Sequence, residues 1–493
     1  MSPGAFEEER LAYNREMLTP FLLACTLLVG AQSSPAATTT ANDLTVVVPH
    51  GDIPGRASPA TVAVNPAVPE WLSKKRPLAP FQLTRKEEGV YLTGLPLVNY
   101  DPDKGLGYGA RLYLFDNGSR SDPLFKFSPY FHRVYFQFFR TTAGFQSHAI
   151  KWDAPYIGGS PYRIRSALAY ERDTDVNYFG TGEDAMAPLK RDDQRRTFSS
   201  IEDYEEVNQR ILNGRTFAKY NKVDFLRPRW NIHLEREIFG GLIRPLIGFQ
   251  VAKATVRDYS GSRVTVDGEE AISNRTKLAE DAAANDVVGF DGGWNNTAKL
   301  GVAYDTRDFE PNPSAGMFHD FSFEFARRAI GSAYDFERYN ATVRFYYTPI
   351  SEATLLTLAA RGMYQVQTGE VPFFEMGTLS FTQGNDIGLG GLRTIRGYQE
   401  LRFIGPVAAL ANLEARWQFF EHRFAGQRFA YMLAPFVDSG RVFDKAAEAS
   451  LQDWRTGYGA GLRAIWNLAT ILSIDYGRGA EGDGIYVNFQ LMF

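Results

Sequence analysis

From about residue 89 to its last residue the chain alternates apolar and polar side chains with a period of two, which predicts strands. Within 412–420 the polar set Asn412, Glu414, Arg416 and Gln418 interleaves with Leu413, Ala415, Trp417 and Phe419. Asp320, Ser322 and Glu324 alternate with Phe321, Phe323 and Phe325, and Tyr339, Ala341, Val343, Phe345 and Tyr347 with Asn340, Thr342, Arg344 and Tyr346. The last segment sets Ile485, Val487, Phe489, Leu491 and Phe493 against Tyr486, Asn488 and Gln490. Two architectures use such strands. A soluble sandwich buries the apolar face against a second sheet, whereas a transmembrane barrel turns it outward to lipid.

The order of strands and connections separates the two. The pattern predicts strands near 89–100, 106–116, 126–139, 143–153, 161–172, 219–236, 242–257, 294–305, 316–329, 333–348, 353–366, 407–420, 427–439, 455–467, 468–477 and 484–493. That makes about sixteen, an even number, as single-chain bacterial barrels require. The long polar connections 173–218, 258–293, 367–406 and 440–454 all follow odd-numbered strands and so fall on one rim. Even-numbered strands end in short turns such as "PYIGGS", "EIFGGL", "EPNPSAG" and "TPISEA". A sandwich has no reason to segregate loops by length. The predicted fold class is therefore all-β, a single transmembrane antiparallel β-barrel over 89–493.

Composition agrees with this. The mean hydropathy is slightly negative, and beyond the leader no apolar run reaches the roughly 18 residues a membrane-crossing helix needs. Phe 37, Tyr 25 and Trp 7 are abundant, as interface girdles of a barrel require. With 53 basic and 57 acidic residues the net charge is only −4, which gives no footprint for nucleic acid. The one cysteine, Cys25, lies in the leader, and the six histidines are scattered without ligand spacing, so no metal or cofactor is expected. No GxSxG or comparable cluster suggests catalysis, and "GLGYG" at 105–109 lacks the strand-to-helix context of a nucleotide fingerprint. The chain is expected not to be an enzyme.

Two regions precede the alternating part. "MLTPFLLACTLLVGA" (17–31) reads as an export signal within 1–31, cleaved near Ala31, with Met17 as an alternative start because "EEER" is acidic where a basic region is expected. Leu22-Leu23-Ala24-Cys25 resembles a lipoprotein box, although the apolar run continues past Cys25. Residues 32–88, rich in Ala, Thr, Pro and Ser, read as a periplasmic linker or tail.

"GGLRTIRGYQELRF", "LEARWQFF", "APFVDSGRVFD", "GYGAGLRAIWNLATILSIDYG" and the terminal "YVNFQLMF" occur in that order. Together with "LPLVNYDPDKGLGYGARLYLF", "NYFGTG" and "YDTRDFEPNPSAG" upstream, they make residues 89–493 resemble the barrel of the bacterial surface-antigen family, home of the BamA/TamA-type insertases and translocases. The resemblance implies an outer-membrane location and a sixth extracellular loop folded back into the lumen. The tip of that loop would be Ile395, Arg396, Gly397 and Tyr398. Asp438, in the "PFVD" position, would be its first acidic partner and Glu414 the second. Alternation independently places both carboxylates on the polar face of their strands. An arginine with five donors suits a carboxylate on the wall, and Gly397 would let the turn reverse. Removing one member of a buried pair costs about 3–5 kcal/mol, which a wet lumen would screen to about 1–2.

The resemblance also implies that Phe489, Leu491 and Phe493 form the C-terminal signal by which barrels are recognised, on a lipid-facing strand. The barrel would close at a seam between strands 89–100 and 484–493. Gly94 and Pro96 on one side and Phe489 on the other would mark that seam, because Pro lacks a donor and Gly packs weakly. Pro96 lying beyond the paired part would leave it closed. Residues 32–88 are too short and irregular for the family's POTRA domains. Two functions follow: insertion or translocation of proteins or lipids, or a passive pore or lipid conduit keeping the fold alone. The expected partners are outer-membrane lipid, client outer-membrane or exported proteins, and accessory periplasmic or lipoprotein subunits.

Overall fold

The computed structural model describes residues 68–72, 77–78, 83, 86–101, 105–191, 196–308, 310, 312–350, 355–424, 427–466, 470–488 and 491–493. The expected export signal and the tail up to residue 67 lie outside the described residues. The chain divides into two units. Of the first, residues 1–68 with 121–123, only 68 and 121–123 are described. The second, 69–120 with 124–493, holds the whole barrel.

The barrel strands are β1 (Val90–Asp101), β2 (Gly105–Asp116), β3 (His132–Thr141), β4 (Gln146–Ala154), β5 (Tyr162–Asn177), β6 (Arg229–Arg236), β7 (Ile243–Arg257) and β8 (Thr297–Asp305). There follow β9 (Gly316–Ala326), β10 (Phe336–Ile350), β11 (Leu355–Gly369), β12 (Val407–Phe424), β13 (Gln427–Phe443), β14 (Arg455–Trp466), β15 (Thr470–Arg478) and β16 (Asp483–Asn488). The main sheet has 18 pieces. Two of them, Lys222–Leu226 and Gly293–Trp294, lead into β6 and β8 and pair with β7 beside them. That leaves sixteen strands, each antiparallel to the next in sequence.

Alternation fixes which residues face lipid. Leu92, Leu112, Phe136, Phe138, Ile150, Leu168, Ile247, Phe345, Leu413 and Trp417 are exposed on the outside. The opposite set, including Glu324, Arg338, Arg361, Glu414, Arg416 and Arg463, is buried. This is a polar core inside an apolar shell, inverted relative to a soluble sandwich. A one-residue slip would exchange the two sets, so the pattern also fixes register. In β9 to β11, for example, Glu324 stands opposite Arg338 and Arg338 opposite Gln367.

The connections after β5, β7, β11 and β13 are long and share a rim; those after β4, β6, β10, β12 and β14 are short and share the other. One connection on the short-turn rim is longer, the segment between β2 and β3. It holds the residues that lead into β1. Leu72, Leu124 and Tyr156 form a buried cluster there, with the Trp71 ring 5.1 Å from that of Tyr156. Lys86 donates to the carbonyls of Phe125 (2.9 Å) and Ser128 (2.8 Å), 3.8 Å above the Phe125 ring. Asn117 Nδ2 reaches the Glu87 carbonyl at 2.8 Å and Arg120 Nη2 the Lys86 carbonyl at 2.8 Å. The end of the expected linker is therefore docked on this rim beside the first strand.

The last strand differs from the expectation. The described part of β16 runs to Asn488, and Phe489 lies outside the described residues. Leu491 and Phe493 do not face lipid. Leu491 packs inside with Ala430, Met432, Ile465 and Ile471, and Phe493 with Met492, Tyr346 and Ala359. The reason is cationic: Arg361 and Arg416 each stand 5.1 Å from the Phe493 ring centre, and Arg416 Nη2 donates to its carbonyl at 2.8 Å. A buried aromatic face offers those guanidiniums more than lipid offers the ring.

Lys86→Ala is expected to destabilise the folded barrel by about 1–3 kcal/mol, because carbonyls that accept from an ammonium lose it while staying buried. An earlier urea midpoint in detergent would show this. Lys126→Ala, at an exposed lysine of the same segment, should leave the midpoint in place.

Candidate functional site

The connection between β11 and β12, residues 370–406, runs through the lumen. It carries a short helical turn, Phe373–Met376, and a hairpin of Thr378–Phe381 with Gly384–Ile387. The hairpin lies against the inward faces of β8 to β11. Lys299 Nζ is 2.6 Å from Ser380 Oγ and 3.2 Å from Glu324. Arg338 bridges Glu324 and Glu375, each at 2.5 Å. Arg361 reaches Asp386 at 3.0 Å and the Asn412 amide oxygen at 2.9 Å. Lys299, Arg338 and Arg361, buried here, each have a carboxylate, while Arg344 lies over the rings of Phe318 and Phe381.

Beyond the hairpin the chain continues along the adjoining wall of β12 to β15, and Arg396 is its tip. Arg396 Nε and Nη2 take the two oxygens of Asp438 at 2.8 and 3.1 Å, a bidentate fork. Nη1 bridges Glu414 at 3.0 Å and Asp475 at 3.2 Å. The guanidinium carbon stands 3.3 Å from the centre of the Phe436 ring. Arg416 holds the other Glu414 oxygen at 2.9 Å, and Arg463 pairs with Asp475 and with Glu414 at 3.5 Å. Three guanidiniums thus alternate with three carboxylates across β12 to β15. Arg396, Glu414 and Asp438 side chains are 0% exposed, so the screening expected of a wet lumen is absent.

The backbone around the tip shows why glycine follows the arginine. Gly397 has φ 94°, and a Cβ there would run into the backbone of Arg478 and Gly479. On the wall, a Cβ on Gly477 would come within 2.7 Å of the Arg396 Cβ. Gly397 N donates to the Tyr486 hydroxyl of β16 at 3.0 Å, and the Tyr398 hydroxyl accepts from Ala480 N at 3.2 Å. Ile395 is buried beside Leu389, Leu410 and Val442. The four tip residues therefore meet five consecutive strands.

The same loop then meets the connections of the long-loop rim. Arg402 pairs with Glu481 (2.7 Å) and donates to the carbonyls of Ala185 (2.6 Å) and Ala187 (3.0 Å). Gln399 reaches Glu205 at 2.9 Å. In the connection between β7 and β8, burial pushes the Asp281 carboxyl above its ordinary range, against hydrogen bonds from Lys277 and Tyr178 that favour its ionised form.

Among the residues singled out by sequence, the structure brings Arg396, Asp438 and Glu414 together and sets Gly397 and Tyr398 against β15 and β16. Gly94 and Pro96 lie apart from this cluster, in the middle of β1, opposite Leu112 and Ala110 of β2. β1 and β16 lie alongside each other. Among the described residues no hydrogen-bonded pair joins them. Sequence reasoning passed over Asp475, Arg463 and the hairpin. Asp475 was findable, since it shares the inward parity of Ser473 and Gly477.

Residues 177–493 match the Omp85 superfamily domain, and residues 68–131 match a domain of unknown function, DUF5982. The latter span coincides with the docked segment, β1, β2 and the connection that receives Lys86. No curated protein matches the chain. Among solved structures it is similar to BamA from Haemophilus ducreyi lacking POTRA domains 1-3, at 14% identity over 81% of this chain and 69% of that one, with a TM-score of 0.46. It is also similar to CdiB from Escherichia coli, at 11% identity over 81% and 61% with a TM-score of 0.45, and to CdiB from Acinetobacter baumannii, at 12% over 82% and 60% with 0.42. The chain thus spans about three fifths of the CdiB chains.

Arg396→Ala is expected to leave three carboxylates without their shared partner and to cost about 3–5 kcal/mol. The barrel should still insert, with raised and noisier single-channel conductance. Arg396→Lys should recover only part of the loss, because an ammonium cannot form the fork.

Proposed function

We propose that this chain, which belongs to the Omp85 superfamily and is a β-barrel of the bacterial outer membrane, inserts or translocates polypeptides there by opening between β1 and β16. The observation that carries this reading is the edge of β1. It lies alongside β16, with which it shares no hydrogen-bonded pair among the described residues. Unpaired N–H and C=O groups on a sheet edge template an incoming strand. Gly94 and Pro96 weaken that edge further.

The loop tip supplies the other requirement, a fixed wall to open against. Arg396 ties β12 to β15, and Gly397 is tied to Tyr486 on β16. In this reading β16 moves with the tip while β1 is the side that yields. Client outer-membrane or exported polypeptides are the proposed cargo, delivered by accessory periplasmic or lipoprotein subunits. No chemical step is assigned to the chain. A passive pore or lipid conduit is the second reading, favoured by the part of the lumen that the loop leaves uncovered.

Photocrosslinking in cells from Leu92 on β1 and Ile485 on β16, with the outward-facing Leu168 on β5 as control, separates the two. Nascent barrel proteins or exported polypeptides captured at the first two positions and not at Leu168 are the expected result. Lipid adducts alone from a well-folded barrel would replace the insertase reading with the conduit.

A further inference from the structure

The inner wall is not uniform. From β8 to β15 the loop covers it, and Arg338, Arg361, Arg416 and Arg463 are at most 3% exposed. Along β1 to β4 the inward residues are open: Tyr91, Thr93, Arg111, Tyr113, Tyr135 and Gln137 are partly accessible and Lys151 is exposed. Register places these side chains on one face, with Thr93 opposite Tyr113, Tyr113 opposite Tyr135, and Tyr135 opposite Lys151. Their strand neighbours Leu112, Phe136 and Ile150 are exposed on the outside.

The charges on this half are unequal. Arg133 and Arg163 share Asp153 at 3.4 and 2.7 Å, Arg165 pairs with Glu235 at 2.5 Å, and Arg229 with Glu171 at 2.7 Å. Arg111 and Lys151 have no such partner among the described residues. Arg111 donates to Gln137 (Nε, 3.0 Å) and to the Tyr113 hydroxyl (3.2 Å), both neutral. Arg111 and Lys151 stand 5.3 and 5.2 Å from the Tyr135 ring centre. Next to them runs an aromatic ladder unusual for a polar lumen: Tyr91 on Phe115 at 5.0 Å, Phe115 on Tyr113 at 5.6 Å, Tyr113 on Tyr135 at 5.5 Å. Cations at mid-span without carboxylates need water or an anion.

We infer that the uncovered half of the lumen is an anion path, in which Arg111 and Lys151 bind the phosphate or carboxylate group of a soluble solute and the Tyr113–Tyr135 ladder carries its uncharged part. The pair gives the anion two separate donors across β2 and β4. The rings between them offer an apolar face that a chloride ion cannot use. Two observations make a site here, the surplus of charge and the exposed rings beside it. The inference rests on the barrel and its alternation, and holds whether or not the seam admits polypeptides.

The test uses the full chain in phosphatidylcholine bilayers that contain no anionic lipid. Under a KCl gradient the reversal potential should lie on the anion side, and inorganic phosphate should reduce the chloride current. Arg111→Gln with Lys151→Gln should abolish both effects. A cation-selective wild type, or an unchanged reversal potential in the double variant, would overturn the inference. If the barrel passes no current, Thr93→Cys in a Cys25→Ser background reports the same field by its rates with anionic and cationic methanethiosulfonates. A wall of one sign concentrates counter-ions by roughly tenfold or more, so the anionic preference should fall by that factor in the double variant. An equal ratio in both backgrounds would refute it. Phosphate binding that appears only when anionic lipid is supplied would assign the site to lipid headgroups and reject the soluble solute. Capture of clients from the seam is read separately, so either proposal fails alone.

Discussion

A guanidinium taken out of water must be given carboxylates, and the C-terminal half of this barrel is organised by that requirement. Arg396 sits at the tip of a loop entropically expensive to confine, and it brings its own reason to stay: the fork to Asp438 and single bonds to Glu414 and Asp475. Those acids cannot face lipid, so β12, β13 and β15 must turn their polar parity inward. Arg416 and Arg463 then balance the surplus negative charge. Remove the arginine and three acids remain in a dry space. The cluster specifies one loop path more than it adds stability, since an apolar core of equal volume could match its energy.

The lumen therefore has two characters on one sheet. Where the loop lies, charge is buried and mostly paired, with Arg344 set against aromatic rings instead. Where it does not, along β1 to β4, charge is in excess and open, and small residues such as Gly107, Gly109 and Ala149 line the inward face. The boundary between these halves on one side is the junction of β1 with β16, where the tip reaches its last strand through Tyr486. Rigidity and permissiveness meet at the place where backbone pairing is weakest.

Much of this was legible in the residues. Period-two alternation located the sixteen strands because an outward apolar face and an inward polar one leave no third option, and glycine- and proline-rich turns marked the short rim. Glu414 and Asp438 could be placed on the inner face by parity alone. What parity could not give was depth or company. It cannot tell a charged inner residue in water from one sealed under a loop, so the lumen around Arg396 was expected wet and proved dry. The hairpin at Thr378–Ile387 was hidden because its polar residues read as loop, their partners lying on strands far away in sequence. Leu491 and Phe493 continued the alternation of β16, but buried arginines hold them indoors. Local pattern lost there to a tertiary contact.

Lys86 adds a mechanical consequence. Its ammonium is clasped by two carbonyls of the β2–β3 connection, four residues before β1 begins. A pull arriving through the preceding residues meets this clasp before it meets the first strand. The load passes sideways into the rim and is shared with β2 and β3 in shear, and β1 is spared a peeling force that would strip it one hydrogen bond at a time. The barrel is thus moored at a point next to, and not upon, its weakest plank.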